Sequence, residues 1–201
     1  MDSAFLFLKV ESYGALSPAS RANWQSLLRS QTYKKGESFI ATGQIPTNVG
    51  FVVKGLFSQE YVSDSGDSTI KYFFPEGRFA ASVGAMLTQT PSPFSVVALE
   101  DSKLLTYNFA SFKKLIDQHR DIANFYIRYM ELHWIVEKEP LEISFRYDTA
   151  LQRYLKFIEM YPGLIGRLKK HQIASYLGIT PTQLSRLLQT ALKSVADSQH
   201  M

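Results

Sequence analysis

The sequence predicts an α+β chain: short strands in the N-terminal half, then a long helix, then a pair of short helices near the C-terminal end. Three observations carry this. Residues 31–109 are rich in Val, Ile, Phe, Tyr and Thr, and Gly36, Gly43, Gly55, Gly66 and Gly77 punctuate them at intervals of 7, 12, 11 and 11 residues. Short strands at such spacing indicate an all-β sandwich or barrel. From Arg120 to Glu139 apolar residues recur at helical spacing, and Leu168 to Lys193 reads LKKHQIASYLGITPTQLSRLLQTALK, two helical patterns about a glycine.

Composition limits the function classes. At 201 residues the chain allows one large or two small domains. Apolar residues make up 45% and charged residues 20%, as in ordinary globular proteins. No apolar run approaches the ~20 residues of a membrane span. The opening MDSAFLFLKV has an acid at position 2 and no basic n-region, so it is a poor signal peptide. The absence of cysteine excludes disulfides, thiol redox chemistry and cysteine-ligated iron–sulfur clusters, and fits a cytoplasmic location. The net charge of +4 is uneven: residues 146–201 hold eight Lys/Arg against three acids (+5), and residues 1–145 hold fourteen against fifteen (−1). Attraction to phosphate would therefore come from the C-terminal segment.

Taken in order, Ser17-Pro18 begins a helix with Trp24, Leu27 and Leu28 on its buried side. Strands are expected in YKKGESFIATGQ, NVGFVVKGLFSQEYVSDSG, STIKYFFPEGRF and FSVVALEDSKLLTYNF, with SDSGD at 63–67 as a hairpin tip. ASFKKLIDQ reads as a short helix. In the long helix Ile122, Phe125, Tyr129, Leu132 and Val136 form one stripe, and Ala123, Ile127, Met130 and Trp134 a second about 100° away. A helix apolar on two sides needs two partners: the β domain and the same helix of a second subunit. Pro140 should break it, leaving PLEISFRYD as a hinge. Asp148 can cap a further helix with Ala150, Leu151, Tyr154, Leu155 and Ile158 inward, ended by Pro162-Gly163.

In the final pair, Ile173, Leu177, Ile179, Leu184, Leu187 and Leu188 can close on one another around Ala174. Gly178 sits where the chain reverses. Thr180, Pro181 and Gln183 form a start signal, with Thr180 as N-cap and Gln183 completing a capping box. Thr182, Arg186, Gln189 and Lys193 then share the opposite face, which carries no acid. Such a helix suits a DNA major groove, where Arg pairs with guanine and Gln with adenine. This is a helix-turn-helix pattern.

The order of parts resembles the Crp/Fnr superfamily of bacterial transcription regulators. The matching residues are KKGE (34–37), the Gly43 turn, FVVKGLF (51–57), FFPEGRF (73–79), VVALEDS (96–102) and IASYLGITPTQLSR (173–186), spread over about 170 residues. The resemblance implies a β-roll sensor domain of double-stranded β-helix or jelly-roll type (1–118), a dimerisation helix and hinge (119–145), and a winged-helix-like helix-turn-helix domain (146–201). It implies a cytoplasmic homodimer, not an enzyme, that binds double-stranded DNA at inverted half-sites one helical turn (~34 Å) apart. RNA polymerase and a small-molecule effector of unidentified class are further expected partners, with no membrane, cofactor or metal. Arg186 is the first choice for base-edge contact, with Thr182, Gln183 and Gln189 for base or backbone. Thr180 and Ser185 are placed at phosphates, with Lys169, Lys170 and His171 along the flanking backbone.

The chain departs from the superfamily in two places. Cyclic-nucleotide-binding relatives carry a cassette resembling F-G-E-L-x-L followed by R-S-A, whose Glu holds the ribose and whose Arg pairs the phosphate. Here the cassette reads Phe79-Ala80-Ala81-Ser82, with Ala81 at the Glu position and Ser92 at the Arg position. No Lys or Arg occurs between Arg78 and Lys103, and no acid between Glu76 and Glu100, so cyclic AMP is not expected to bind in the usual way. Secondly, only Ser194 to Met201 follow the expected recognition helix, a polar, frayed tail too short for a full wing. Two other functions compete: a sensor of a non-nucleotide molecule, and a dimeric scaffold that no longer binds DNA. A cupin-like metal enzyme is disfavoured because residues 31–109 contain no histidine.

Overall fold

The computed structural model describes residues 2–63 and 66–198, with side chains described through Thr190. Helix α1 (Asp2–Glu11) was not expected from the sequence. It buries Leu6, Phe7 and Val10, and Phe5 meets Phe51 edge-on at 5.4 Å. Helix α2 (Pro18–Leu27) starts as expected: Ser17 Oγ accepts the Ser20 N–H at 3.1 Å, with Pro18 in the first turn. Its Trp24 is fully buried, packed against Phe7, Phe79, Tyr107, Phe112 and Phe125.

Two four-stranded antiparallel sheets pack face to face. The first holds β1 (Arg29–Tyr33), β8 (Ser102–Asn108), β3 (Asn48–Lys54) and β6 (Phe79–Ala80) in that spatial order. The second holds β2 (Ser38–Ile40), β7 (Phe94–Ala98), β4 (Phe57–Val62) and β5 (Ser68–Phe74), leaving β5 at an edge. The central strands β3 and β8 of the first sheet are buried on both faces. Val52 and Leu104 join Ile40, Phe57, Phe74, Val96 and Ala98 between the sheets, while Val49, Phe51, Leu105 and Tyr107 face the helices. The five glycines that punctuate the strands all have φ between +81° and +96°. At Gly55 the need is also steric, since a Cβ there would lie 2.1 Å from Ser102 Oγ. The expected hairpin between β4 and β5 is closed by Ser63 N–H on Asp67 O at 3.0 Å; Asp64 and Ser65 at its tip lie outside the described residues. A short helix α3 (Val83–Thr88) follows β6.

Helix α4 (Phe109–Gln118) leads into α5 (Arg120–Met130), which continues as a π segment, Glu131–Val136. Here the expected stripe divides. Ile122 and Phe125 are buried and Tyr129 packs beside them, but Leu132 and Val136 are exposed and His133 takes the inward place. The wider turn, with Glu137 N–H bonded to Leu132 O at 2.9 Å, sets about one extra residue into the helix and rotates the turns beyond it. Of the second stripe, Ile127 is exposed and Ala123, Met130 and Trp134 are half-buried.

The expected hinge is a helix instead, α6 (Glu139–Tyr147), because Pro140 falls in the first turn, where no backbone donor is needed. Helix α7 (Ala150–Met160) is capped by Thr149, not Asp148: Thr149 and Gln152 make a reciprocal capping box. Asp148 ends α6, accepts from Ser144 Oγ and pairs Lys156 Nζ at 2.6 Å. The buried side of α7 centres on Phe157, while Leu151 and Leu155 are exposed. Helix α8 (Lys170–Leu177) and helix α9 (Pro181–Ser198) complete the chain. Helix α9 runs through Ser194–Ser198, part of the segment expected to fray.

Candidate nucleic-acid interface and the interior of the roll

The α8–α9 pair forms as its sequence dictates. Gly178 caps α8 with φ +68°, and Ile179 N–H donates to Ala174 O at 3.0 Å. Thr180 Oγ1 accepts the Gln183 N–H at 3.1 Å, and Gln183 Oε1 accepts the Thr180 N–H at 2.8 Å. Leu184 is buried against Ile173, Ala174 and Leu177. Its burial fixes the roll of α9, so Thr182, Gln183, Arg186 and Gln189 stand exposed together. Among the described residues Arg186 makes no ion pair. The side chain of Lys193, which the sequence places on the same face, lies outside the described residues.

Several proposed contact residues have local duties. The Gln183 carbonyl oxygen serves the cap, leaving its amide nitrogen available. Ser185 Oγ donates to Pro181 O at 2.9 Å and accepts from Lys170 Nζ at 3.2 Å. Lys169 is the N-cap residue of α8; its N–H donates to Gln172 Oε1 at 2.8 Å. Lys169, Lys170 and His171 are exposed at the start of α8.

In the roll, Ala81, Ser82 and Ser92 are all buried. Ser92 Oγ donates to Phe94 O at 2.6 Å and lies 2.8 Å from Ser82 Oγ. Ala81, Ser82 and Ser92 thus give this buried stretch no charged side chain. The space beside it is apolar and small, a cavity of about 40 Å³ walled by Phe79, Ala81, Val83, Met86, Phe125 and Trp134 among others. A second cavity, between Gln59, Tyr72, His133 and Lys138, measures about 20 Å³. Either is the size of a water molecule, well below the ~300 Å³ of a small-ligand pocket.

A polar cluster not anticipated from the sequence ties the end of the long helix to the roll. Arg78 Nη2 donates to Glu137 Oε2 at 2.6 Å and to Tyr72 Oη. His133 Nδ1 lies 2.7 Å from Glu137 Oε1, and its Nε2 lies 2.6 Å from Tyr13 Oη. Arg78 Nη1 lies 2.5 Å from His133 Nδ1 as well, so the imidazole meets a guanidinium, a carboxylate and a phenol at once. Burial acts to raise the Glu137 carboxyl, but hydrogen bonds from His133 and Arg78 outweigh it and hold the group at about 2. Nearby, burial and the Lys71 charge bring Lys138 down to about 8, with its ammonium 3.2 Å from the Trp134 ring centre.

The Glu137 pairing has a signed pH consequence. A carboxyl that titrates lower when folded contributes stability above its ordinary value of 4.5 and loses it as pH falls toward 2. Glu137→Gln should therefore lower stability by about 1–3 kcal/mol at pH 6, because Arg78 is left half-buried without its charge partner. In urea titrations the gap between variant and wild type should narrow from pH 4.5 to 2. A gap of constant size across that window would sink the assignment.

A second unexpected group joins the C-terminal helices to the roll. Arg167, in the turn between α7 and α8, donates to Glu76 through Nη1 and Nη2, both at 2.9 Å, and to Glu100 through Nη2 at 2.6 Å. Glu76 also accepts the Gly55 N–H at 2.8 Å. Ser175 Oγ on α8 accepts from Ile70 N–H at 2.9 Å and donates to Ser68 O at 3.1 Å, covering the open edge of β5. Beneath these, Leu56, Ile70 and Phe73 of the roll pack with Phe157, Tyr161, Leu168 and Tyr176. No local sequence signal marks these partners, which are joined only by the fold.

Residues 30–119 match the family described as the cyclic nucleotide-binding domain. No curated protein matches the chain by sequence. Among solved structures, FixK2 from Bradyrhizobium japonicum superposes with a TM-score of 0.71 at 17% identity, over 83% of this chain and 85% of that one. The c-di-GMP responsive global regulator CLP of Xanthomonas campestris gives 0.69 at 10% identity, over 89% and 93%. A CooA mutant from Carboxydothermus hydrogenoformans gives 0.68 at 17% identity, over 94% and 84%. No helix among the described residues is long and apolar enough to cross a membrane. The β-roll is thus a domain of the cyclic nucleotide-binding type, and the chain as a whole shares the fold of the solved FixK2, CLP and CooA structures.

Proposed function

We propose that this chain is a cytoplasmic, non-enzymatic transcription regulator that binds inverted-repeat DNA as a homodimer and does not require cyclic AMP. The observation that carries the proposal is the exposed, acid-free face of α9, where Thr182, Arg186 and Gln189 stand over a buried Leu184. Arg186 reads a base edge, Thr182 and Gln189 read bases or backbone, and the Gln183 amide nitrogen supplies a further donor. Thr180, Ser185, Lys169 and Lys170 serve the phosphates. Homodimerisation is supported by the apolar residues left exposed along the long helix. Independence from cyclic AMP is supported by the neutral Ser82–Ser92 pair and by the small, apolar cavity next to it. RNA polymerase is the expected downstream partner.

The test is in vitro selection of random duplexes on the purified chain, with and without cyclic AMP, at one stated salt concentration. An inverted repeat enriched equally in both arms is expected. Enrichment only with cyclic AMP would overturn the nucleotide part, and no enrichment would overturn the DNA part. On the selected site, Arg186→Ala should weaken binding by about 1–3 kcal/mol and relax the preference at one base position per half-site. Undiminished binding by that variant would remove Arg186 from the interface.

A further inference from the structure

The geometry points to Arg167 as a positioning residue for DNA recognition: held by Glu76 and Glu100, it fixes the orientation of the recognition helix relative to the roll. The inference rests on the proposed DNA binding and extends it to residues that touch no DNA.

Three contacts act together on one joint. Arg167 presents a rigid fork to two carboxylates that both belong to turns of the roll. Each carboxylate is about one-third exposed (35% and 37%), so the contact is shielded from water but can still open. Hydrogen bonds from Arg167, the backbone and Gly55 overcome the effect of burial and hold Glu76 below its ordinary value, so the pair stays charged at neutral pH. Ser175 bonds the edge of β5 from the first helix of the pair. Phe73 is fully buried against Phe157, Tyr161 and Tyr176. Together these leave the helix pair little freedom to swivel on the roll.

The joint holds the DNA-facing surface without covering it. Thr182, Gln183, Arg186 and Gln189 are exposed in the docked arrangement. In a dimer built on the long helix, the separation and tilt of the two recognition helices depend on how each pair is docked on its own roll. A fixed docking selects one half-site spacing. A loose one lets each helix find its half-site over a range of spacings but lowers the effective concentration of the second contact.

The experiment uses the full chain on the selected inverted repeat and on duplexes with the central spacer changed by one or two base pairs. Wild type, Arg167→Met and the double variant Glu76→Gln/Glu100→Gln are compared, with urea unfolding to show that each is folded. Wild type should prefer the selected spacer by about tenfold or more, whereas both variants should lose about tenfold in affinity for it and vary less than about threefold across spacers. The double variant separates positioning from contact. It keeps the Arg167 charge and removes two acids, so if Arg167 met phosphate directly it would bind tighter, and Arg167→Met would lower the salt slope by about 0.9. An unchanged spacer profile in both variants overturns the inference while leaving DNA binding intact. Tighter binding by Arg167→Met also overturns it, because the docked arrangement would then be an inhibited one. Failure of the wild-type chain to select any repeat overturns the proposed DNA binding, and this inference with it.

Discussion

Trp24→Ala should destabilise the chain by about 3–5 kcal/mol, a large share of the total stability of a typical domain. The indole is fully buried where α2 meets the first sheet and the long helix. It touches rings from four directions: Phe7 on α1, Phe79 and Tyr107 on the sheet, Phe112 on α4 and Phe125 on α5. Those helices cannot close around the void without leaving the sheet, so the cavity would persist and its walls would lose dispersion contacts. The indole nitrogen has no hydrogen-bond partner among the described residues, so Trp24→Phe keeps most of the packing and loses no bond. It should cost well under half as much. Urea midpoints read by far-ultraviolet circular dichroism measure both. A loss below about 1 kcal/mol for the alanine variant would show that this cluster is not the centre of the fold.

Ile135→Glu combined with Val136→Glu should convert the protein to a monomer and weaken its binding to an inverted repeat by a factor of about 100 or more. Ile127, Ile135, Val136 and Ile143 are 52%, 60%, 59% and 57% exposed. Branched aliphatic groups exposed together along the long helix and α6 suit a partner rather than water. Two carboxylates buried across a two-fold axis would face their own copies, and the aliphatic groups around them offer no compensating cation. Because both residues are exposed in the monomer, the subunit should stay folded, which the urea midpoint verifies. Light scattering gives the mass. A variant that remains dimeric places the interface elsewhere, and a monomer that keeps full affinity would deny that two half-sites are engaged together.

Local signals in the sequence proved the most legible. The glycines from Gly36 to Gly77 mark turns because a positive φ is a property of one residue, and Thr180 with Gln183 marks a helix start because both partners lie within one turn. That Phe79–Ser82 and Ser92 carry no charge is read from residue types alone, whereas the hydrogen bond between Ser82 and Ser92 comes from the fold. Three things were not legible. Helix α1 lacks a cap signal and buries its residues only because the sheet waits beneath it. The cap of α7 was assigned one residue early, since Asp148 and Thr149 are both good caps and only the ion pair with Lys156 decides between them. The Arg167 fork joins residues 67 and 91 positions apart, and nothing in a linear pattern encodes such a distance.

The π segment has a consequence for how the long helix can change. A uniform α-helix apolar on two sides would divide its duties around its circumference, so every turn would serve both the roll and a partner. The extra residue at Glu131–Val136 instead rotates the outward face partway along, turning Leu132 and Val136 out and His133 in. Ile122 and Phe125 belong to the interior and Ile135 and Val136 to the outside, roughly two turns or more apart. Substitutions in the two halves should then combine additively in stability. The outward residues Ile135 and Val136 could change without disturbing Ile122 and Phe125, which stay in the core.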